Sequence, residues 1–112
     1  MSKPAALLQG TLDLLILKIL DSEPAAARTG WAISRRLRQR SNETLQVSHG
    51  SLYPALHKLE HEGWIRGKWQ ESETGRPSKL YSLTGAGRRQ LRLEAENWTR
   101  LSEAVNGILE SA

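Results

Sequence analysis

Between Ser48 and Thr84 the chain reads SHGSLYPALHKLEHEGWIRGKWQESETGRPSKLYSLT, and this segment limits the possible folds more than any other. Leu52, Leu56 and Leu59 fall at steps of four and three, which makes one inward stripe of a helix and leaves His49, Ser51, Lys58 and His61 for its other faces. Gly63 is a favourable residue just past the helix end. Trp64, Ile65 and Trp69, then Leu80, Tyr81 and Leu83, read as two strands on either side of Glu71 to Ser78, and Gly75 with Pro77 makes this a hairpin with a tip longer than two residues. A helix followed at once by such a hairpin is the plan of a winged helix, with the tip as the wing. Arg76 and Lys79 flank or occupy the tip and Lys68 lies at its base. Pro54 is the awkward residue, because a proline inside a helix costs ~3 kcal/mol or more unless it lies in the first turn. Regular helix is therefore expected from near Ser51, or after a distorted turn from Ser48 to Tyr53.

At 112 residues the chain is expected to form one domain with a single modest core. It has no cysteine, which excludes disulfides, zinc fingers and thiol catalysis and points to the cytoplasm by default. The most apolar run, Leu12 to Leu20, is interrupted by Asp13 and Lys18 and is far shorter than the ~20 residues of a membrane span. It also lacks a secretory pattern, so the N-terminus is expected to stay on the mature protein. Charge is unevenly placed: residues 35–92 carry twelve Lys or Arg against five Asp or Glu, whereas residues 93–112 carry one against four. The basic excess coincides with the winged-helix segment, as expected of a face that meets a polyanion.

The remaining segments supply the rest of the architecture. From Gly10 to Asp21 a helix carries Leu12, Leu15, Ile16 and Ile19 at helical spacing, with Leu14, Leu17 and Leu20 on the other side, so it needs a second partner beyond its own core. A second helix, Thr29 to Arg40, has Thr29 as its cap, is expected to bury Trp31, Ile33 and Leu37, and crowds Arg35, Arg36, Arg38 and Arg40 into its later half. Ser41 to Gln46 reads as a polar loop, and Leu45 with Val47 as a minimal first strand. Thr84 caps a last helix to about Leu109, in which Leu91, Trp98 and Val105 are seven apart and Leu101 and Ile108 fill the intervening position. Two such heptads are marginal alone, so this seam is expected to pair with a second copy and with the doubly apolar first helix. The expected fold is mainly α (α+β), a winged helix-turn-helix over residues 1–83 with a C-terminal dimerisation helix over 84–112, in one compact unit.

The stretches LLQGTLDLLILKIL, GWAISRRL, VSHGSLYPALHKLEHEGWI and GRPSKLYSLTGAGRRQL, in that order, closely resemble the PadR family of bacterial transcriptional regulators in its short form with a single C-terminal helix. The likeness covers about residues 7–109. The resemblance implies a dimeric DNA-binding protein, usually a repressor, whose C-terminal helices build the dimer interface and which in many members releases its operator on binding a small aromatic or hydrophobic molecule. One departure stands out: Pro24 is followed by the longer Ala25-to-Thr29 connection, and Thr29 stands where the family commonly has a histidine.

Each candidate residue has a competing explanation. His49, Gly50, Ser51 and Tyr53 lie at the helix end that suits a major groove, with Lys58 as a phosphate contact, Arg35 as a further DNA-binding candidate and Arg76 and Lys79 on the wing, although hairpin tips are polar in any protein. Leu91, Trp98, Leu101, Val105 and Ile108 are the expected dimer interface. Trp98 is most simply packing, but with Leu15, Ile19 and Leu101 it also suits the wall of a pocket for a flat hydrophobic ligand. His57 and His61 have the spacing of a metal pair but no supporting third ligand, so no metal or cofactor is expected. Enzyme motifs are missing, and His49 beside Ser51 has no orienting acid, so catalysis is not expected. The expected partners are a palindromic double-stranded operator, a second copy and a possible inducer, with no membrane. The rival is a winged-helix adaptor that recognises protein, which would not need the basic excess.

Overall fold

The elements run α1 (Thr11–Ser22), α2 (Gly30–Arg40), α3 (His49–His61), β1 (Ile65–Glu71), β2 (Pro77–Leu83) and α4 (Gly85–Leu109) in a computed structural model that describes residues 10–23 and 28–111. Of the long connection before α2, only Arg28 and Thr29 belong to the described residues, as does none of Leu7 to Gln9.

The core draws on every element. Ile16, Leu17, Ile19 and Leu20 of α1 meet Ile33 and Leu37 of α2, the Leu52, Leu56 and Leu59 stripe of α3, Ile65, Tyr81 and Leu91. All three leucines of α3 are fully buried, so the four-and-three spacing does face inward. Trp31 departs from expectation: it is 58% exposed, because the buried side of α2 is already filled by Ile33 and Leu37.

Local signals set the helix ends. Thr29 Oγ1 accepts the Ala32 N–H at 3.2 Å, and Ser48 Oγ accepts that of Ser51 at 3.2 Å. With that cap, α3 is regular from His49 and runs through Pro54 without the expected distortion. The ring sits on the exposed side, and the carbonyl that loses its donor belongs to exposed Gly50, where water can serve it. At the other end Trp64 N–H reaches the Leu59 carbonyl and Gly63 N–H that of Glu60, both at 3.0 Å, with Gly63 at φ 77°. This paired bonding ends the helix in a left-handed residue that glycine adopts without a Cβ clash.

The two strands are antiparallel, in register from Ile65 opposite Leu83 to Glu71 opposite Pro77, so the ladder extends further than expected and the tip shrinks to residues 72–76. Leu45 and Val47 form no strand. Asn42 and Glu43 have φ of 51° and 67°, and Ser41 Oγ takes the Leu45 N–H at 2.9 Å, which turns the chain away from an extended path. The sheet instead receives the segment before α2: Thr29 bridges to Leu80, and Tyr81 donates its N–H to the Arg28 carbonyl at 3.1 Å.

Thr84 joins the hairpin to the last helix. Its Oγ1 accepts the Gly87 N–H at 3.0 Å while its hydroxyl donates to the Gly63 carbonyl at 2.7 Å. Gly87 lies so close to the Trp64 carbonyl that any side chain there would collide with it. The start of α4 is thereby fixed to the turn between α3 and β1. Its 25 residues extend about 37 Å at the usual helical rise, and burial ends early: Leu91 is in the core, whereas Trp98, Leu101, Val105 and Ile108 are exposed.

Candidate nucleic-acid interface

The N-terminal end of α3 is the most open part of that helix. His49, Gly50, Ser51 and Tyr53 are exposed together, with the His49 and Tyr53 rings edge to face at 5.6 Å. Backbone N–H groups left unpaired by the helix start, and the positive end of its dipole, suit an anion or a base edge here. A concave surface of about 870 Å³ connects this end to α2, lined by Trp31, Ser34, Arg35, Arg38, Gln46 and Ser48 among others. Arg35 lies over the Trp31 ring at 5.1 Å, which leaves its guanidinium at the rim.

The basic candidates divide into engaged and open groups. Arg35 and Arg76 have no ion pair among the described residues, and Arg76 is exposed at the wing tip beside Gly75, whose φ of 80° makes the tight turn. Lys58 donates to Asp13 Oδ2 at 2.6 Å, and Lys79 to Glu60 Oε1 at 2.8 Å. The hydrogen bond that it gives to Asp13 holds the Lys58 ammonium above its ordinary pKa, and the one given to Glu60 does the same for Lys79. Lys79 is only 19% exposed and lies 5.7 Å from the Trp69 ring centre and 5.5 Å from that of Tyr81. It sits opposite Trp69 in the wing's ladder, with its ammonium turned to α3 rather than to the tip. Asp13 is the one carboxylate within the apolar run Leu12 to Leu20, a sign of a partner elsewhere; Glu60 carries no such sign.

A second concavity lies on α1 and α4. It holds about 710 Å³ and is lined mainly by apolar groups of Leu14, Leu15, Leu45, Leu91, Ala95 and Trp98, with Thr11, Lys18, Asp21 and Arg92 at its polar edge. Leu15 and Trp98 are brought together there. Ile19 is not: it is 3% exposed, on the core side of α1. Leu101 lines a small adjoining cleft of about 90 Å³ with Leu14 and Trp98. Ala95 and Arg92 carry no sequence signal of this role beyond the helical face that Leu91, Ala95 and Trp98 share. Among the described residues no three His, Asp or Glu side chains gather as a metal site, and no helix is long and apolar enough to cross a membrane.

Comparison with known proteins follows the same lines. Residues 16–93 match the transcriptional regulator PadR-like family. A PadR-like transcriptional regulator of Bacillus cereus has a crystal structure that superposes with a TM-score of 0.75 at 31% identity, covering 94% of this chain and 97% of that one. A transcriptional regulator from Clostridium thermocellum shares the fold at a TM-score of 0.81 and 24% identity, over 91% of this chain and 96% of the other. A transcriptional regulator of Mycobacterium tuberculosis is 36% identical over 67 residues, 60% of this chain and 62% of its own.

Proposed function

This chain belongs to the PadR-like family, whose members are non-enzymatic winged-helix regulators of transcription that bind DNA, and we propose that it is a homodimeric repressor that reads a palindromic operator. The observation that carries this reading is the exposed, capped start of α3, placed between the Arg35 rim of α2 and the Arg76 tip of the wing. His49, Gly50, Ser51 and Tyr53 enter the major groove, while Arg35 and Arg76 meet phosphates or the adjacent minor groove. Lys58 and Lys79 are the weaker candidates, since each already serves a carboxylate. Residues 1–83 form the reading unit and 84–112 the pairing helix, and the protein works in the cytoplasm.

Pairing is supported by the apolar face that α4 leaves in solvent. Trp98, Leu101, Val105 and Ile108 continue the seven-residue spacing begun by buried Leu91, and a second α4 is the surface that such a seam fits. Two reading helices then enter successive major grooves about 34 Å apart on one side of the duplex. The cleft on α1 and α4 offers a flat hydrophobic inducer a site next to Trp98. By favouring one separation of the two reading helices over another, such a molecule weakens operator binding in proportion to its preference.

The test is a gel shift with genomic fragments at two salt concentrations, with sequencing of the retained DNA. A palindromic consensus whose retention falls steeply with salt supports the reading. Equal, weak retention at both concentrations supports a protein-binding adaptor instead.

A further inference from the structure

Two tryptophans face solvent around a groove formed by the start of α2, α3 and the wing. Trp31 is 58% exposed and Trp69 66% exposed, and both line a space of about 400 Å³ completed by Tyr53, His57, Lys79 and Tyr81. Exposed indoles forgo the stabilisation of burial, so two of them on one groove mark a surface that something covers. Each indole has a cation against its ring. Arg35 lies over Trp31 at 5.1 Å and the Lys79 ammonium lies 5.7 Å from the Trp69 ring centre, while Glu60 holds that ammonium at 2.8 Å.

The identity of the occupant follows from where the groove runs. None of its described lining comes from α1 or α4, so neither the apolar cleft nor the pairing seam accounts for it. Its walls are the start of α2 with Trp31, the reading helix and the wing, and the last two are the elements that the proposed function sets against a duplex. We propose that the groove holds the deoxyribose-phosphate strand that crosses from the major groove read by α3 to the minor groove beside the wing. Sugar faces pack on Trp31 and Trp69, and the indole N–H groups donate to phosphate oxygens. Such a strand alternates apolar rings with anionic acceptors, which matches indoles better than it matches a purely cationic surface. Lys79 is here a positioning residue: its charge is engaged by Glu60, and it sets the plane of Trp69.

These contacts are uncharged on the protein side, which separates them from arginine contacts. Losing an indole lowers affinity without altering the number of counterions released, whereas losing Arg76 lowers the salt slope by about one. The inference rests on the DNA-binding reading, so its test starts from a genomic fragment that the intact chain retains. Trp31→Ala, Trp69→Ala, Trp69→Phe and Arg76→Ala are compared with the wild type over a salt series and by hydroxyl-radical footprinting. Each alanine variant at a tryptophan should bind about tenfold more weakly with an unchanged slope. Each should also lose protection of the sugars between the reading-helix and wing contacts, and Trp69→Phe should keep that protection at an intermediate affinity. Thermal melting checks folding, and if Trp69→Ala unfolds, Trp31→Ala and Trp69→Phe decide. Wild-type affinity and footprint in the tryptophan variants, or a slope that falls as for Arg76→Ala, overturns the proposal while DNA binding stands. Failure of the wild type to retain any fragment overturns the DNA reading itself.

Discussion

The apolar stripes of α3 and α4 share one spacing but meet different fates. Leu52, Leu56 and Leu59 are fully buried by the chain's own α1, α2 and β1, whereas on α4 only Leu91 is covered and Trp98 to Ile108 stay open. Helical periodicity therefore reports that a face is apolar without reporting which molecule covers it. The α3 stripe stabilises the protomer; the distal α4 stripe is the face proposed to meet a second one.

The contrast breaks most visibly at the centre of the closed stripe. Leu56→Ala should cost about 3 kcal/mol of unfolding free energy, because the surroundings collapse only partly into the space left behind, and chemical denaturation should give that loss at any protein concentration. On the open stripe, Leu101→Asp should leave the circular dichroism of the protomer intact while weakening association by roughly thirtyfold, about 2 kcal/mol. Analytical ultracentrifugation over a dilution series checks this. Thr84→Ala loosens the junction between the two regions, since it removes a cap and the bond to the Gly63 carbonyl; about 1 kcal/mol is expected from thermal melts.

The smallest effect concerns the ion pair that ties α3 to α1. Asp13 raises the Lys58 pKa in the folded state, so the native chain holds that proton more tightly than the unfolded one. The stabilisation is complete below the unfolded pKa of lysine and is lost as the pH rises through the raised folded value. It should stay below about 1 kcal/mol because Lys58 is largely open to solvent. Asp13→Asn should lower stability at neutral pH by that amount and flatten the alkaline limb of the stability profile.

Much of the fold is legible in the residues because its signals are local. The caps at Thr29, Ser48 and Thr84, the glycine after α3 and the leucine stripe act within a turn or two of themselves. What the sequence concealed depends on distant partners. Whether Trp31 was core or surface depended on how Ile33 and Leu37 filled the space beneath α2, and an aromatic at helical spacing suits either outcome. Lys58 and Lys79 looked like free cations because their carboxylates lie 45 and 19 residues away. The strand expected at Leu45 and Val47 does not form; the place beside β2 is taken by Arg28 and Thr29, a pairing across about fifty residues that residue type alone does not announce.

The most direct measurement is the mass of the complex formed on a retained operator fragment, followed by sedimentation at increasing protein. Two chains per duplex, joining together, with Leu101→Asp lowering self-association and DNA affinity in parallel, is the predicted result. One chain per duplex, or full affinity in a Leu101→Asp protein that no longer pairs, would contradict it.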